Sequence, residues 1–475
     1  MKLKLTLVVA AMAAAGLAHA VATPEEAARL GKDLTPWGAE KAGNKDGTIP
    51  AYTGGLPRDL IPGFDSNKSI VNGRQFMPDP FKDEKPVFRI TAANLNQYAD
   101  KLSDTQKGMF KNDPAYYMDV YPSHRTANPP KSYSDASVKN ATRCRTEQNG
   151  EALKGCKGGT PFPVPKTGQE VMWNLQIAPL TGVAFEINAP QYYVDRNGTI
   201  TLTGEVFAYQ YYPYQDTKIS LEDYESSDKP YGSIWFQTVY ERRRPPRVAG
   251  EVQIIKQFTN NSATAGWSYQ PGNRRTRVNP NAAYDFPISS AGGAAFYDEA
   301  YGFQGRLDRF DWKLLGKKEM VMPYNVYKLA YGAADAVMMA GHPKPEVMRW
   351  EMHRAWVVEA TRKSGVRHAF SKRRFYVDED VAHSVMSDQY DDTGKNVRGG
   401  FTSELTIWDK QAAFQYFFNI DLTTGVYWSL TALGDSAYGG NRFRDPDTGI
   451  GGVNNGPQFA NVEWTPEAMA RRSQK

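Results

Sequence analysis

The residues best placed to do chemistry lie between Met348 and Ala360, where side chains alternate in character along an extended run. Successive residues of a strand point to opposite faces, so Met348, Trp350, Met352, Arg354, Trp356, Val358 and Ala360 share one face. Arg349, Glu351, His353, Ala355, Val357 and Glu359 share the other. The first face is apolar and aromatic except at Arg354. A guanidinium beside two indoles can hold a carboxylate or another polar head at the mouth of an apolar cavity. Equally, the stem of Arg354 can pack on the indoles while its head finds solvent or an acid partner. With Trp267 and Tyr269 of the aromatic run Gly266–Gln270, the candidate cavity residues are Trp350, Met352, Arg354, Trp356, Trp267 and Tyr269.

Other reactive constellations are sparse. The runs 274–278 and 372–378 each begin a strand with arginines, which either bind anions or pair with acids across a sheet. His124, His342, His353, His368 and His383 show no metal-ligand spacing, and no metal is expected. The stretch Gly434–Tyr438 lacks the second Gly of a nucleophile elbow. The loop starting at Asp445 places Gly456 where a calcium loop needs its bidentate Glu. No Walker or dinucleotide glycine motif occurs, so neither a cofactor nor a catalytic residue is indicated. Scattered acid pairs leave no local signature, which keeps a hydrolase open.

The elements that must position these residues begin after an export signal. Lys2 and Lys4 precede an uncharged run from Leu5 to Leu17 that ends in Ala18-His19-Ala20, the small-x-small pattern of signal-peptide cleavage. The run is shorter than the roughly 20 apolar residues a membrane span needs. Cleavage is expected after Ala20, no lipid-bearing Cys follows it, and the mature chain is expected to be soluble in the periplasm. Residues 1–20 hold two lysines and no acid, so cleavage lowers the formal charge from +5 to +3. That near balance, with no broad basic stripe, argues against nucleic acid. Cys144 and Cys156 are the only cysteines, and in an oxidising compartment they read as a disulfide.

Thr23-Pro24-Glu25-Glu26 predicts a short helix to Leu30, followed by an irregular arm to Pro86. Residues 92–111 read as helical, with a second capping box at Ser103–Gln106, and 132–165 as an irregular cysteine loop. From Val171 the pattern turns to β: 182–187, 191–195, 199–212, 233–243, 250–258, 266–270, 274–278, 320–331, 347–361, 371–377, 401–408 and 411–430. The expected organisation is a signal peptide (1–20), an N-terminal arm with helices and the cysteine loop packed on the main domain (21–165), and an antiparallel β domain (166–475). At 12% aromatic residues, a broad aromatic-lined sheet is favoured.

Three stretches match a known pattern in order and spacing: Glu25–Gly31 running into Leu34–Glu40 and Gly47–Pro50; 267–275; and Arg349–Glu359 with Arg373–Asp378. The chain thereby resembles domain-of-unknown-function family 1329, over nearly its whole mature length. That family is grouped with the periplasmic lipoprotein-sorting (LolA/LolB-like) carriers. The resemblance implies a mainly β (α+β) fold, a large curved antiparallel sheet or half-open β-barrel covered by helices, with long irregular insertions. It implies a non-enzymatic carrier or binder of a lipid-like or other hydrophobic molecule, working alongside an inner-membrane transporter and an outer-membrane barrel. An enzyme acting on a polymer or hydrophobic compound, and an envelope scaffold binding through the N-terminal arm, are the alternatives.

Overall fold

Alternating runs in the chain assemble into one sheet of 16 strands. The computed structural model describes residues 21–71, 74–177, 182–262, 264–279, 284–430, 436, 442–444 and 463–473. The signal sequence, the loop from Asp445 and the stretch Gly434–Tyr438 apart from Ser436 lie outside them. In chain order, β1 (Ile70–Val71) and β2 (Arg74–Gln75) form a hairpin in the arm. Strands β3 (Phe88–Thr91) and β4 (Tyr117–Val120) join the large sheet, whereas β5 (Arg145–Glu147) and β6 (Ala152–Lys154) pair on their own. There follow β7 (Ala184–Val194), β8 (Ile200–Tyr211), β9 (Ile234–Arg244), β10 (Val252–Phe258), β11 (Ala265–Gln270) and β12 (Arg275–Val278). The remainder are β13 (Phe310–Pro323), β14 (Trp350–Arg362), β15 (Lys372–Asp378), β16 (Val385–Tyr390), β17 (Asn396–Ile407), β18 (Ala412–Asp421), β19 (Tyr427–Leu430) and β20 (Arg442–Arg444).

The spatial order is β12-β11-β10-β9-β8-β7-β19-β18-β17-β16-β15-β14-β4-β3, with β13 also beside β14 and β20 beside β7. The path does not close on itself, so the sheet is open and the fold mainly β. Neighbours are antiparallel except at one bridge, Trp350 with Val120, where β14 meets β4 in parallel. Among the described residues no helix is long and apolar enough to cross a membrane.

Local chemistry explains most boundaries. The first helix, Pro24–Ala27, has the expected capping box, Thr23 accepting from the Glu26 N–H and Glu26 reaching back. Ser103 and Gln106 do the same for the helix Asp104–Asn112, which packs where β17 carries Gly399; a Cβ there would sit 2.1 Å from Thr105. Cys144 and Cys156 are joined as a disulfide. Three expectations are corrected. The segment read as an irregular cysteine loop contains a helix, Lys131–Arg143, whose buried Asn140 donates to the carbonyls of Gly158 and Thr160. The stretch read as β from Val171 is a helix, Gly168–Ile177; nine of its ten residues are buried, which erases any amphipathic period. The runs 182–187 and 191–195 are one strand, β7, which passes Pro190 with a register shift at Gln191/Tyr192. Strand β16 was not anticipated.

One contiguous hydrophobic core fills the sheet's interior. Trp350 is fully buried in it and meets Phe401 edge to face, centroids 6.0 Å apart. Removing so large a buried side chain leaves a void that neighbours refill only in part. Trp350→Ala is therefore expected to lower unfolding free energy by about 3–5 kcal/mol, read as a fall in the urea midpoint. An unchanged midpoint would contradict this packing.

Candidate functional site

Chain connectivity creates the site. Strand β12 ends at one edge of the sheet, while β13 pairs with β14 near the other, so the intervening residues must cross most of the sheet's width. The segment 284–309 makes this crossing over the inner face, in short 3-10 turns at Ser289–Ala291 and Tyr297–Glu299. Buried charges fasten it down. Asp298 accepts from His368 Nε2 and from Arg373, each at 2.9 Å, and Glu299 accepts from Arg398 at 3.0 Å. Burial opposes the charge of Asp298, but Arg373 and His368 outweigh it and hold the carboxyl below the usual range. At Glu299 burial wins over Arg398 and the carboxyl is raised. Gly302, in the left-handed region, lets the cover press on β16: a Cβ there would lie 2.2 Å from Val385.

Beneath this cover lies a cavity of about 70 Å³. Its apolar wall comes from Ile187 and Ala189 of β7, Val206 of β8, Ile255 of β10, and Trp428 and Leu430 of β19, roofed by Ile288, Tyr297, Ala300 and Tyr301. Its polar end is built by Arg242, Glu251 and Gln253. Arg242 pairs with Glu251 at 3.2 Å and donates to Ser289 Oγ at 3.1 Å, and Gln253 donates to the Tyr297 hydroxyl at 3.1 Å. A smaller cavity of about 30 Å³ shares Ile187, Tyr301 and Gln304 with it. That second space is lined by Leu175, Phe185, Tyr212, Trp235, Phe303 and Phe414 together with His383, which burial holds neutral, down to about 4. The two form one mostly apolar trough. A larger recess of about 290 Å³ beside the helix Lys131–Arg143 is open, and its cation Lys157 is already bound to the carbonyls of Tyr214 and Asp216.

None of the six residues singled out in the sequence lines either part of the trough. Trp350 and Met352 are buried in the core. Arg354 has an acid partner, Glu379 at 2.8 Å, and donates to the carbonyl of Ala42. Trp356 is half-buried with the Lys317 ammonium 4.6 Å above its ring. Trp267 and Tyr269 fall on the outer face of β11, in a small core with Val239, Val252, Ile254 and Met469. Alternation had shown which residues share a face, but which face is inner depends on the long-range strand order.

The opposite face of β14 holds a feature the sequence did not disclose. His353 lies between Glu351 and Asp378, each 3.2 Å away, with the Tyr324 ring stacked at 3.9 Å. Glu351 also accepts from Arg349, Asn325 and the backbone N–H of His124. Burial disfavours the imidazolium, yet Asp378 and Glu351 push His353 up to about 10. Burial likewise opposes the Glu351 charge, but His353 and Arg349 hold it down to about 2. His353, Asp378 and Asp380 offer ligand atoms within 4.8 Å of one another. A cation there would have to replace the imidazolium proton and share Asp380 with Arg125, which already grips it at 2.6 and 2.8 Å. The arrangement is a charge-balanced ionic core. Its partners come from β14, β15 and the connecting segments that carry Arg125, Asn325 and Asp380, and no local spacing could have linked them.

Comparison with known proteins places the chain in context. A family model described as "Protein of unknown function (DUF1329)" matches residues 89–469. An uncharacterized protein of Pseudomonas aeruginosa is 37% identical over 420 residues, covering 86% of this chain and 88% of that one. Among solved structures, a DUF1329 family protein from Desulfovibrio piger is similar at TM-score 0.36 and 13% identity, covering 53% of this chain and 83% of its own. A putative outer membrane lipoprotein-sorting protein domain from Vibrio parahaemolyticus gives 0.38 and 11%, covering 61% and 92%. A LolA superfamily protein from Nitrosomonas europaea gives 0.33 and 9%, covering 56% and 90%.

The ionic core makes a pH-dependent prediction. Burial, with Asp378 and Glu351 nearby, pushes Glu404 up to about 8 despite a hydrogen bond from Thr406. The folded chain thus keeps this proton in a range where the unfolded chain, with an ordinary value of 4.5, has lost it. Its contribution is complete below that ordinary value and is lost as pH rises through the folded one. Glu404→Gln is expected to match wild type near pH 4 and to be more stable by about 2–4 kcal/mol at pH 8, measured by urea unfolding. Equal stability at both values would mean that Glu404 is ionised in the fold.

Proposed function

This chain belongs to the DUF1329 family, and from that premise we propose that it is a non-enzymatic binder, or carrier, of a lipid-like hydrophobic molecule in the periplasm. The observation that carries the reading is the trough under residues 284–309: an apolar wall of strand residues with one polar end at Arg242, Glu251 and Gln253. A few convergent polar groups at the end of an apolar cleft orient an amphipathic ligand, head at the polar end and chain along the wall.

The volume decides how binding must proceed. About 70 Å³ holds only a few water-sized groups, far below the several hundred that enclose a sizeable ligand. In this conformation the cover is closed on the sheet, and loading requires it to lift. The cover is suited to that motion because it is irregular, while the wall beneath it is a continuous hydrogen-bonded sheet. Extracytoplasmic action is supported by the export pattern ending at Ala20 and by the Cys144–Cys156 disulfide, which persists in an oxidising compartment.

Two measurements test the reading. Mass spectrometry of the gently purified mature chain is expected to find a bound lipid-like species. A fluorescent fatty-acid analogue is expected to bind the wild type and to bind at least about tenfold more weakly once Val206→Trp or Ala300→Trp fills the trough. Because overpacking a wall position costs roughly 1–3 kcal/mol, the Ala300 variant, on the adjustable cover, separates blocked binding from damaged folding. No bound lipid together with unchanged probe binding in both variants would overturn the assignment.

A further inference from the structure

The inner face of the sheet does not stop at the trough. Directly opposed residues of antiparallel neighbours project to the same side, and the register can be followed outward from the polar end. Tyr240 of β9 opposes Gln253 of β10, which opposes Ser268 of β11, which opposes Arg277 of β12. One row over, Gln270 of β11 opposes Arg275 of β12. The face that lines the cavity thus runs out past Ser268 and Gln270 and ends on two arginines at the last strand of the sheet.

That edge is exposed and carries a local positive charge. All four residues of β12 are exposed, as is Arg274 in the preceding turn. Among the described residues none of Arg274, Arg275 and Arg277 enters an ion pair, and Glu251, at the polar end of the cavity, is taken by Arg242. The concentration is local, since the mature chain as a whole carries only +3. An apolar side chain accompanies it: Phe286 is 47% exposed and stacks on Tyr297 of the cavity roof, whereas Val278, opposite Trp267, projects to the other face. Three arginines in four residues oppose pairing with another strand, the usual hazard of a free edge.

We propose that this edge docks on an anionic membrane surface, setting the polar end of the trough against the headgroups. The arginines meet lipid phosphates, Phe286 enters the interfacial layer, and a ligand then passes between bilayer and trough along a face that is continuous from Arg277 to Gln253. The proposal rests on the lipid-binding reading for its purpose, but the docking can be measured without it.

The test is flotation of the full mature chain with vesicles of phosphatidylcholine alone or mixed with phosphatidylglycerol. Binding is expected only to the phosphatidylglycerol vesicles, and to fall steeply as salt is raised. Arg275→Gln with Arg277→Gln is expected to weaken it by on the order of tenfold or more, with an unchanged melting temperature, because both side chains are exposed and neither has an ion-pair partner among the described residues. Lys45→Gln, exposed elsewhere, is expected to leave it intact. Ala300→Trp, which blocks the trough, is expected to float like wild type, so loss of docking and loss of ligand binding are read separately. Equal binding to both vesicle types, absence of binding to either, or full binding by the double arginine variant would each refute the docking role.

Discussion

Everything at the candidate site depends on how Asp298 is held. A carboxylate taken out of water is costly unless charges and donors surround it, and here Arg373 from β15 and His368 close by supply them. This pins an otherwise irregular segment to the far half of the sheet, with Arg398 of β17 holding Glu299 alongside. The roof residues Tyr297, Ala300 and Tyr301 keep their places over the trough as a consequence. The contact is strong in place and expensive to leave half made.

The same logic separates the two buried ionic assemblies. Around His353, partners come from strands that cannot move apart without tearing the sheet, so the charges there serve to specify packing. Around Asp298, the acid and His368 sit outside the strands while Arg373 and Arg398 sit on them, so the equivalent chemistry ties an irregular segment to the sheet.

Much of the architecture was legible in the sequence. Period-2 alternation located β8 to β12, β14 and β15 closely, while the run 411–430 merged β18 with β19; the two capping boxes at Thr23 and Ser103 were read from four residues each. The helix Gly168–Ile177 was not legible, because burial on all sides removes the polar face that reveals a helix. The site was less visible still. Trp350, Met352 and Arg354 were correctly grouped on one face, yet that face packs into the core. The trough wall joins Ile187, Val206, Ile255 and Trp428, residues up to 241 positions apart whose proximity follows only from the strand order. What the sequence states locally is periodicity; what it leaves unstated is which distant strands become neighbours.

That strand order also governs how the chain can reach its fold. At the centre of the sheet β7 pairs with β19, so Tyr192 to Val194 register against residues 427–429 near the far end of the sequence. Each half, β7 to β12 and β13 to β18, is a run of mostly sequential hairpins that can form early from local contacts. Their union must wait until almost the whole chain is present, and long-range pairing of this kind is slow. Until that seam closes, β7 and β19 each present an open edge, so for this molecule the hazard of misassembly is concentrated in the interval before β19 finds β7.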